Sequence, residues 1–176
     1  MKFKIFKFKK VNSTNNTAIR IIKNSNFDYG MIISDIQNNG RGQYGKKWIS
    51  FKGNLFVSFF FRLENLTVSL KKLTQINCLL VKKLLSIYYK KKILIKKPND
   101  ILINKKKICG ILQETIFKSN KRYLIVGIGI NLVKSPYIKS YPTTNLYELL
   151  GKKLSKNKIK NDLKKIFELK LTRLYK

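Results

Sequence analysis

The chain has 176 residues, a length that predicts one compact domain and at most two. Lysine and arginine total 39 against 8 aspartates and glutamates, a formal net charge of +31 that points first to polyanionic partners. Histidine is absent, which excludes a Ser-His-Asp triad, a Cys-His pair and histidine-ligated zinc or haem.

The first half of the chain predicts two helices among three strands. Alternating apolar residues at 2–9 indicate a half-buried strand, and the polar cluster at 12–15 is typical of the start of a short helix. Residues 29–35 predict a strand, residues 37–47 a polar, glycine-rich loop without secondary structure, and residues 55–63 a buried strand. From 69 to 90, apolar residues recur every three or four positions, which predicts an amphipathic helix.

The second half predicts four strands, at 93–96, 101–103, 107–117 and 123–130, joined by short turns. A short helix follows, with Thr144 and Asn145 at its start and Gly151 at its end, and a last helix begins at Ser155 and carries Leu174 on its apolar face. The order β-α-β-β-α-β-β-β-β-α-α predicts a single α/β (α+β) domain over residues 1–176, with a mixed, largely antiparallel sheet flanked by helices.

Cysteine content and hydropathy bear on the compartment. Cys78 and Cys109 have no metal-binding spacing and make no disulfide framework. The longest nearly apolar runs, 54–61 and 123–133, are shorter than the ~20 residues of a membrane span, and the N-terminus lacks a signal-peptide core. We therefore expect a cytoplasmic protein without a membrane association.

The loop at 40–47, GRGQYGKK, comes close to the phosphate-binding motif G-x-x-x-x-G-K-[ST]. It departs from that motif because Lys47 replaces the hydroxyl residue and Trp48 leads toward a strand rather than a helix. Arg41 is one of only five arginines, and its fork of donors suits carboxylate or phosphate. An anion-binding loop and a solvated surface turn both fit this segment.

Two further segments carry local signals. Residues 96–100, KKPND, predict a sharp turn, which has an ordinary hairpin turn as its alternative. Gly127 and Gly129 lie two residues apart in an apolar strand. Their missing side chains leave room for another backbone segment or a ligand, or simply allow tight packing.

Taken in order, five segments resemble the catalytic domain of biotin protein ligases. Residues 12–15 (NSTN) resemble D-S-T-N, and 37–48 (QNNGRGQYGKKW) resemble Q-x-x-G-R-G-R-x-G-x-x-W. Residues 96–100 (KKPND) resemble K-W-P-N-D, 107–114 (KICGILQE) resemble K-x-x-G-I-L-x-E, and 127–131 (GIGIN) resemble G-x-G-I-N. The resemblance extends over 120 of the 176 residues. The sequence departs from the family pattern at three positions, with Asn12, Gln43 and Lys97 where the family has Asp, Arg and Trp.

The resemblance implies a fold like that of the catalytic domain shared by biotin and lipoate protein ligases, related to class II aminoacyl-tRNA synthetases. It implies an ATP-dependent ligase that forms biotinyl-5′-adenylate and transfers biotin to a lysine of the biotin carboxyl carrier protein of acetyl-CoA carboxylase, with Mg²⁺ accompanying ATP. We expect the catalytic domain alone, without an N-terminal DNA-binding domain or a C-terminal β-barrel domain, no specific nucleic-acid partner, and a homodimer as one possible assembly.

The resemblance also implies roles for individual residues, while the ligands of magnesium stay unassigned. The catalytic set is Lys107, Arg41, Lys96 and Asp100. The biotin-binding set is Ser13, Thr14, Asn15, Gln37, Gly40, Arg41, Gly42, Gln43, Lys107, Gly110, Leu112 and Gly127. The ATP-binding set is Arg41, Gln43, Lys46, Trp48, Asn99 and Asn131.

Three alternatives stay open from the sequence. A lipoate or octanoate transferase has a related catalytic domain, but its R-R-x-S-G-G-G-x-V-like loop is absent here. A basic nucleic-acid-binding module could stack bases on Phe3, Phe6 and Phe8, unless those aromatics belong to the core. A decayed ligase, suggested by Gln43 and Lys97, would keep the fold without efficient turnover.

Overall fold

The computed structural model describes residues 2–63 and 68–174, with the side chains of Arg173 and Leu174 outside the described part. The strands are β1 Lys4–Val11, β2 Tyr29–Gln37, β3 Gly40–Arg41, β4 Lys47–Trp48, β5 Leu55–Arg62, β6 Ile93–Lys96, β7 Asp100–Ile103, β8 Lys106–Lys118 and β9 Lys121–Ile130. The helices are α1 Thr14–Asn24, α2 Leu70–Tyr88, α3 Leu146–Leu150 and α4 Lys156–Leu174. Leu174, predicted on the apolar face of the last helix, has its side chain outside the described part.

The predicted order of the main elements is confirmed, but the expectation of a structureless loop at 37–47 is wrong. β3 and β4 pair antiparallel there, with Gly40 opposite Trp48 and Arg41 opposite Lys47. A single 3-10 turn, Gln43–Gly45, joins them. Two paired residues a side are too short for any hydrophobic period to reveal them in the sequence.

Seven strands form one sheet in the order β1-β2-β5-β9-β8-β7-β6. β1 and β2 are parallel, and every other neighbouring pair is antiparallel. The parallel pair needs a crossover, and α1 supplies it. The prediction of a mixed, largely antiparallel sheet flanked by helices is confirmed.

One face of the sheet is covered by α2 and α4. Every second residue of β9 from Leu124 to Ile130 points into this core, and the Phe59 ring stacks on Phe167 of α4 at a centroid distance of 4.3 Å. Phe3 packs on the Phe59 ring at 4.9 Å. Phe3 is therefore core, and Phe6 and Phe8 are partly buried against the core on the opposite face, so core packing accounts for all three rings.

The opposite face of the sheet is only half covered. Ala18 and Ile22 of α1 pack on Ile32, Phe60 and Ile125. The Ser13 hydroxyl accepts from the Asn16 amide at the N-cap of α1, as the polar cluster predicts. Beyond Ile125, β9 continues this face with glycines rather than apolar side chains. The uncovered half of the sheet is the floor of a cavity.

The observed helix ends agree with the sequence prediction, whereas the buried face of α2 agrees with it only in part. Asn145 caps α3 by accepting from the Glu148 amide at 2.9 Å, and Gly151 ends it in the left-handed conformation. In α2, however, Leu79 and Ile87 are exposed although both belong to the predicted apolar series. Among the described helices, none combines the length and the apolar composition needed to cross a lipid bilayer.

Candidate functional site

A cavity of about 360 Å³ opens on the half of the sheet that α1 leaves uncovered. Its walls are the N-terminus of α1, the loop from β2 to β4, the turn between β6 and β7, and the facing parts of β8 and β9. The predicted site residues that line it are Ser13, Thr14, Asn15, Gln37, Arg41, Gly42, Gln43, Lys46, Trp48, Lys96, Asn99, Asp100, Lys107, Gly110, Leu112 and Gly127. Gly40 and Asn131 lie behind this set.

The N-terminus of α1 is joined to the end of β2 through Gln37. The side-chain carbonyl of Gln37 accepts from the Thr14 amide at 2.8 Å and from the Thr14 hydroxyl at 3.0 Å. Its amide nitrogen donates to the Ser50 hydroxyl at 3.2 Å. These groups form a polar wall of alternating donors and acceptors, which suits a neutral ligand with both kinds of group.

A second polar chain crosses the floor of the cavity and ends at the glycine loop. Buried Asn15 accepts from the Ser58 hydroxyl at 2.5 Å and donates to Glu114 at 2.6 Å. The same Glu114 oxygen accepts from the Arg41 guanidinium at 2.5 Å. This chain ties β5, α1, β8 and β3 together at one side of the cavity.

Lys107 reaches the cavity because β8 carries a β-bulge. The register with β7 shifts between Ile101, which faces Cys109, and Leu102, which faces Lys107, so Ile108 is an extra residue. Ile108 and Cys109 are consequently both buried in the core, although they are neighbours in the sequence. The bulge turns Lys107 to the same face as Gly110, three residues away, where a regular strand would separate them.

The Lys107 ammonium is held between a carboxylate and two aromatic rings. Its Nζ lies 2.8 Å from Asp100 Oδ1, 5.6 Å from the centre of the Trp48 ring and 5.2 Å from that of Tyr141. Its backbone amide donates to the Pro142 carbonyl at 2.9 Å. The cation is therefore fixed at the cavity wall with low solvent exposure, a position from which it can neutralise an incoming anion.

The turn from Lys96 to Asp100 is fastened to β8 by Asn99. The Asn99 amide nitrogen donates to the Ile111 carbonyl at 2.6 Å, and the Ile111 amide donates to the Asn99 carbonyl at 3.0 Å. The Lys97–Pro98 peptide is cis. The side chain of Asn99 thus orders the turn, while Lys96 and Lys97 stand exposed at the mouth of the cavity.

The glycines of β8 and β9 make room for side chains of the protein itself. A methyl group at Gly127 would lie 2.3 Å from Asn15 Oδ1. At Gly110 and Gly129 it would lie 2.7 Å and 2.5 Å from the ring of Trp48. Of the interpretations open for Gly127 and Gly129, tight packing is the one that this geometry supports. Among the described residues, the buried Trp48 Nε1 has no hydrogen-bond partner.

Gly40 and Asn131 contribute from the second layer of the site. A methyl group at Gly40 would lie 2.5 Å from the Trp48 carbonyl oxygen, so glycine permits the β3–β4 pairing. Asn131 is buried and donates to the Thr144 carbonyl at 3.1 Å. It borders a void of about 20 Å³ behind Trp48 and Lys107.

The glycine loop presents cations and little apolar surface. The Gly42 amide donates to the Lys46 carbonyl at 2.6 Å, and Tyr44 at the tip is 91% exposed with a positive φ of 54°. Besides Arg41, the cavity is lined by Lys46, Lys47, Lys96, Lys97, Lys105 and Lys107. So many cations around one cavity suit a polyanionic ligand such as a nucleoside triphosphate.

The carboxylates and thiols near the cavity do not assemble a metal site. Within the described residues, no group of three or more Cys, Asp and Glu side chains could hold an ion. Burial raises the pKa of the Cys78 thiol to about 11, and the charge of Asp100 adds to this; burial also raises the pKa of Cys109 well above its usual value. Both thiols are protonated at neutral pH and are poor ligands and nucleophiles.

Several residues of the site escape a reading of the sequence. Ser58, Lys105 and Tyr141 lie in segments without a distinctive pattern. Glu114 closes the segment at 107–114, and Gly129 repeats the spacing of Gly127, so these two carry a signal that could have found them.

Comparison with known proteins agrees with this geometry. Residues 7–131 match the Biotin/lipoate A/B protein ligase family. The bifunctional ligase/repressor BirA of Bacillus subtilis (strain 168) is 30% identical over 154 residues, 83% of this chain and 47% of the relative. The biotin--[acetyl-CoA-carboxylase] ligase of Paracoccus denitrificans is 27% identical over 130 residues, 72% of this chain and 54% of the relative.

A solved structure extends the similarity to the fold. The biotin protein ligase from Aquifex aeolicus in complex with biotin and ATP superposes with a TM-score of 0.79 at 31% identity, covering 96% of this chain and 70% of that one. The chain spans about half the length of the two curated relatives. With a family match over most of its length and the matching fold, the chain belongs to the Biotin/lipoate A/B protein ligase family.

Proposed function

We propose that the chain is an ATP-dependent biotin ligase, which activates biotin as biotinyl-5′-adenylate and transfers it to a lysine of a carrier protein. The observation that carries this proposal is the convergence of Lys107 and Arg41 on one cavity from β8 and the glycine loop. Family membership and a relative solved with biotin and ATP support the choice of substrate.

The first step joins two anions. A biotin carboxylate oxygen attacks the α-phosphorus of ATP, and pyrophosphate leaves with the electrons of the broken P–O bond. Cations must offset the repulsion between carboxylate and phosphate, and no proton transfer by histidine is required. Lys107 neutralises the carboxylate and the α-phosphate, and Arg41 binds the same phosphate through its fork of donors.

The remaining residues bind and orient the substrates. Ser13, Thr14, Asn15, Gln37 and Leu112 form the biotin side, where Gly40, Gly42, Gly110 and Gly127 leave the space that neighbouring groups of the protein occupy. Gln43, Lys46, Trp48 and Asn99 serve the ATP side, and Asn131 supports this side from behind Trp48. The polar wall around Thr14 supports the biotin side of this assignment, and the cations of the glycine loop support the ATP side. The glycine loop excludes water from an adenylate that would otherwise hydrolyse.

In the second step a carrier lysine attacks the acyl carbonyl as a neutral amine, and AMP leaves. Asp100 and Lys96 lie at the edge of the turn where a carrier loop would enter, and Asp100 also holds Lys107 in place. The carrier is the biotin carboxyl carrier domain of acetyl-CoA carboxylase, a choice that the name of the Paracoccus denitrificans relative supports. We expect the chain to carry out this reaction in the cytoplasm.

Magnesium is expected with ATP. The cavity-lining carboxylate Asp100 is engaged by Lys107, and neighbouring Glu114 by Arg41, so the described side chains offer the ion no dedicated cage. Mg²⁺ carried on the triphosphate fits such a site, where it reduces the negative charge that the lysines must offset.

Thermal unfolding with ligands tests the proposal. Binding to the native state at about 100 times Kd stabilises by about 2.7 kcal/mol, which raises Tm by roughly 5–11 °C for a domain of this size. We expect this rise with biotin plus Mg-ATP, a smaller one with biotin alone, and none with lipoate.

Two variants sharpen the test. Lys107→Ala should lose most of the rise with biotin plus Mg-ATP, whereas Lys106→Ala, whose lysine pairs with Glu148 outside the cavity at 3.6 Å, should keep it. No rise with any ligand would mean that the fold persists without a working site. A rise with lipoate alone would assign the chain to lipoate transfer.

A further inference from the structure

The eight acidic residues of this highly basic chain are distributed selectively. Seven lie in the described part, and each accepts a hydrogen bond or an ion pair: Asp28, Asp35, Asp100, Glu114, Glu148, Asp162 and Glu168. Two of these pairs involve the two cations that bind the α-phosphate in the proposed reaction. Asp100 holds Lys107, and Glu114 holds Arg41.

Glu114 is fixed by more than its pairing with Arg41. It projects from β8, opposite Ile125 of β9, and its Oε2 accepts from the buried Asn15 amide as well as from the guanidinium. Asn15 is itself held by Ser58 and by contact with Gly127. The carboxylate therefore keeps its position on the rigid sheet, while its partner Arg41 belongs to a two-residue strand in the loop.

The two partners differ in what they can do when a ligand arrives. The Arg41 side chain is 38% exposed and lines the cavity, so its fork can turn to a phosphate. Glu114 does not line the cavity and borders an adjoining depression, which Arg41 and the glycine loop also line. One guanidinium in one orientation cannot give its strongest bidentate pairing to both anions at once.

We propose that Glu114 is a positioning residue that acts as a resident counter-anion for Arg41 and competes with the acyl-adenylate for it. In the empty site Glu114 holds the guanidinium and with it the glycine loop. When the intermediate forms, Arg41 exchanges Glu114 for the phosphate, and loss of product reverses the exchange. This inference rests on the proposed function, and it makes the lifetime of the bound intermediate depend on a residue that does not touch it.

The experiment compares Glu114→Gln with the unmodified chain. Glutamine keeps an acceptor oxygen for Asn15 but removes the charge that competes for Arg41. A partly exposed ion pair contributes up to about 1 kcal/mol, which limits the change to roughly fivefold. We expect radiolabelled biotinyl-adenylate, chased with unlabelled compound, to dissociate three- to fivefold more slowly from Glu114→Gln.

A double-mutant comparison separates competition from a purely structural role. In an Arg41→Ala background, Glu114→Gln should leave the dissociation rate unchanged, because the competing partner is gone. Asp35→Asn, which removes an ion pair with Lys156 outside the cavity, should leave it unchanged in every background. Faster or unaltered dissociation from Glu114→Gln, or an equal effect without Arg41, overturns the proposal.

A second readout needs no ligand and separates failure of this inference from failure of the proposed function. Chymotrypsin should cleave after Tyr44, at the exposed tip of the loop, and fragment mass distinguishes this cut from one at the exposed Tyr137. Release of Arg41 in Glu114→Gln should raise the cleavage rate of the free protein three- to fivefold, with Asp35→Asn as control. If the protein binds no biotinyl-adenylate, the proposed function fails, and the cleavage rate still decides whether Glu114 tethers the loop; an unchanged rate refutes the tether.

Discussion

Gly129→Ala tests the packing of Trp48 against the sheet. The added methyl carbon would lie 2.5 Å from Cε2, 2.6 Å from Cζ2 and 2.8 Å from Nε1 of the indole. Carbon contacts are favourable near 3.5–4.0 Å, so the ring must retreat by about 1 Å. The main-chain position itself is an ordinary strand, in which alanine is favoured over glycine.

The expected loss of stability follows from these two terms. Overpacking costs about 1–3 kcal/mol, and replacing a strand glycine by alanine returns about 0.5–1 kcal/mol. The net loss is up to about 2.5 kcal/mol, which lowers Tm by up to roughly 10 °C. Because β9 is central in the seven-stranded sheet and Trp48 belongs to the two-residue strand β4 of a separate two-stranded sheet, the indole rather than β9 should move.

The assay uses the fact that the chain has one tryptophan, so intrinsic indole fluorescence reports on Trp48 alone. We expect Gly129→Ala to shift the native emission maximum to longer wavelength, as the ring becomes more hydrated, and to lower the urea midpoint. Gly45→Ala is the matched control, because its methyl meets no atom within 4 Å and the positive φ of 72° supplies only backbone strain. It should destabilise by about 1 kcal/mol without changing the emission. Unchanged emission and stability in Gly129→Ala would refute the packing of Trp48 described above.

Three further predictions concern the loop and two titrating groups. Biotin plus Mg-ATP should suppress proteolysis within residues 38–47; cleavage at an unchanged rate would contradict ordering of this loop by ligand. Burial and the hydrogen bond to Asp28 raise the pKa of Tyr123 from 10.0 to about 12, so its contribution to stability is complete below pH 10 and is lost between pH 10 and 12. Tyr123→Phe should therefore destabilise the folded protein by about 1 kcal/mol at pH 8. It should also flatten the fall in unfolding free energy at alkaline pH, measured by urea unfolding. An unaltered pH profile would count against this. Burial and nearby Lys7 lower the pKa of Lys160, so the charged form is disfavoured in the folded state. Lys160→Met should accordingly raise the unfolding midpoint at pH 7. It should also reduce the gain in stability that the unmodified chain shows as the pH rises toward 10.5. A lower midpoint at pH 7 would show instead that the ammonium stabilises the fold.

Long, regular elements could be predicted from the sequence because their burial repeats. β5, β9 and the caps of α1 and α3 follow directly from local pattern. The buried face of α2 does not, since Leu79 and Ile87 satisfy the helical spacing and yet face solvent. Asn77 is buried there instead, donating to Gln113 at 2.9 Å, a long-range contact that hydrophobic spacing cannot reveal.

The candidate site divides in the same way. Its residue types and their order were visible in the sequence, and most of those residues line one cavity. The orientation of Lys107 could not be predicted from the sequence, because it depends on the bulge at Ile108. Strand periodicity alone would have directed the lysine toward the core. The pairing of Arg41 with Glu114 was equally hidden, since 73 residues separate the two.

Such separations have a consequence for how the molecule acquires its binding competence. The contacts that shape the polar chain join residues 43, 73 and 99 positions apart. Loop closure over such distances is entropically unfavourable, so these contacts form only after the strands on either side have paired. Ligand capture during refolding should therefore lag behind the recovery of secondary structure, and a ligand bound at this cavity should slow global unfolding rather than merely protect a local segment.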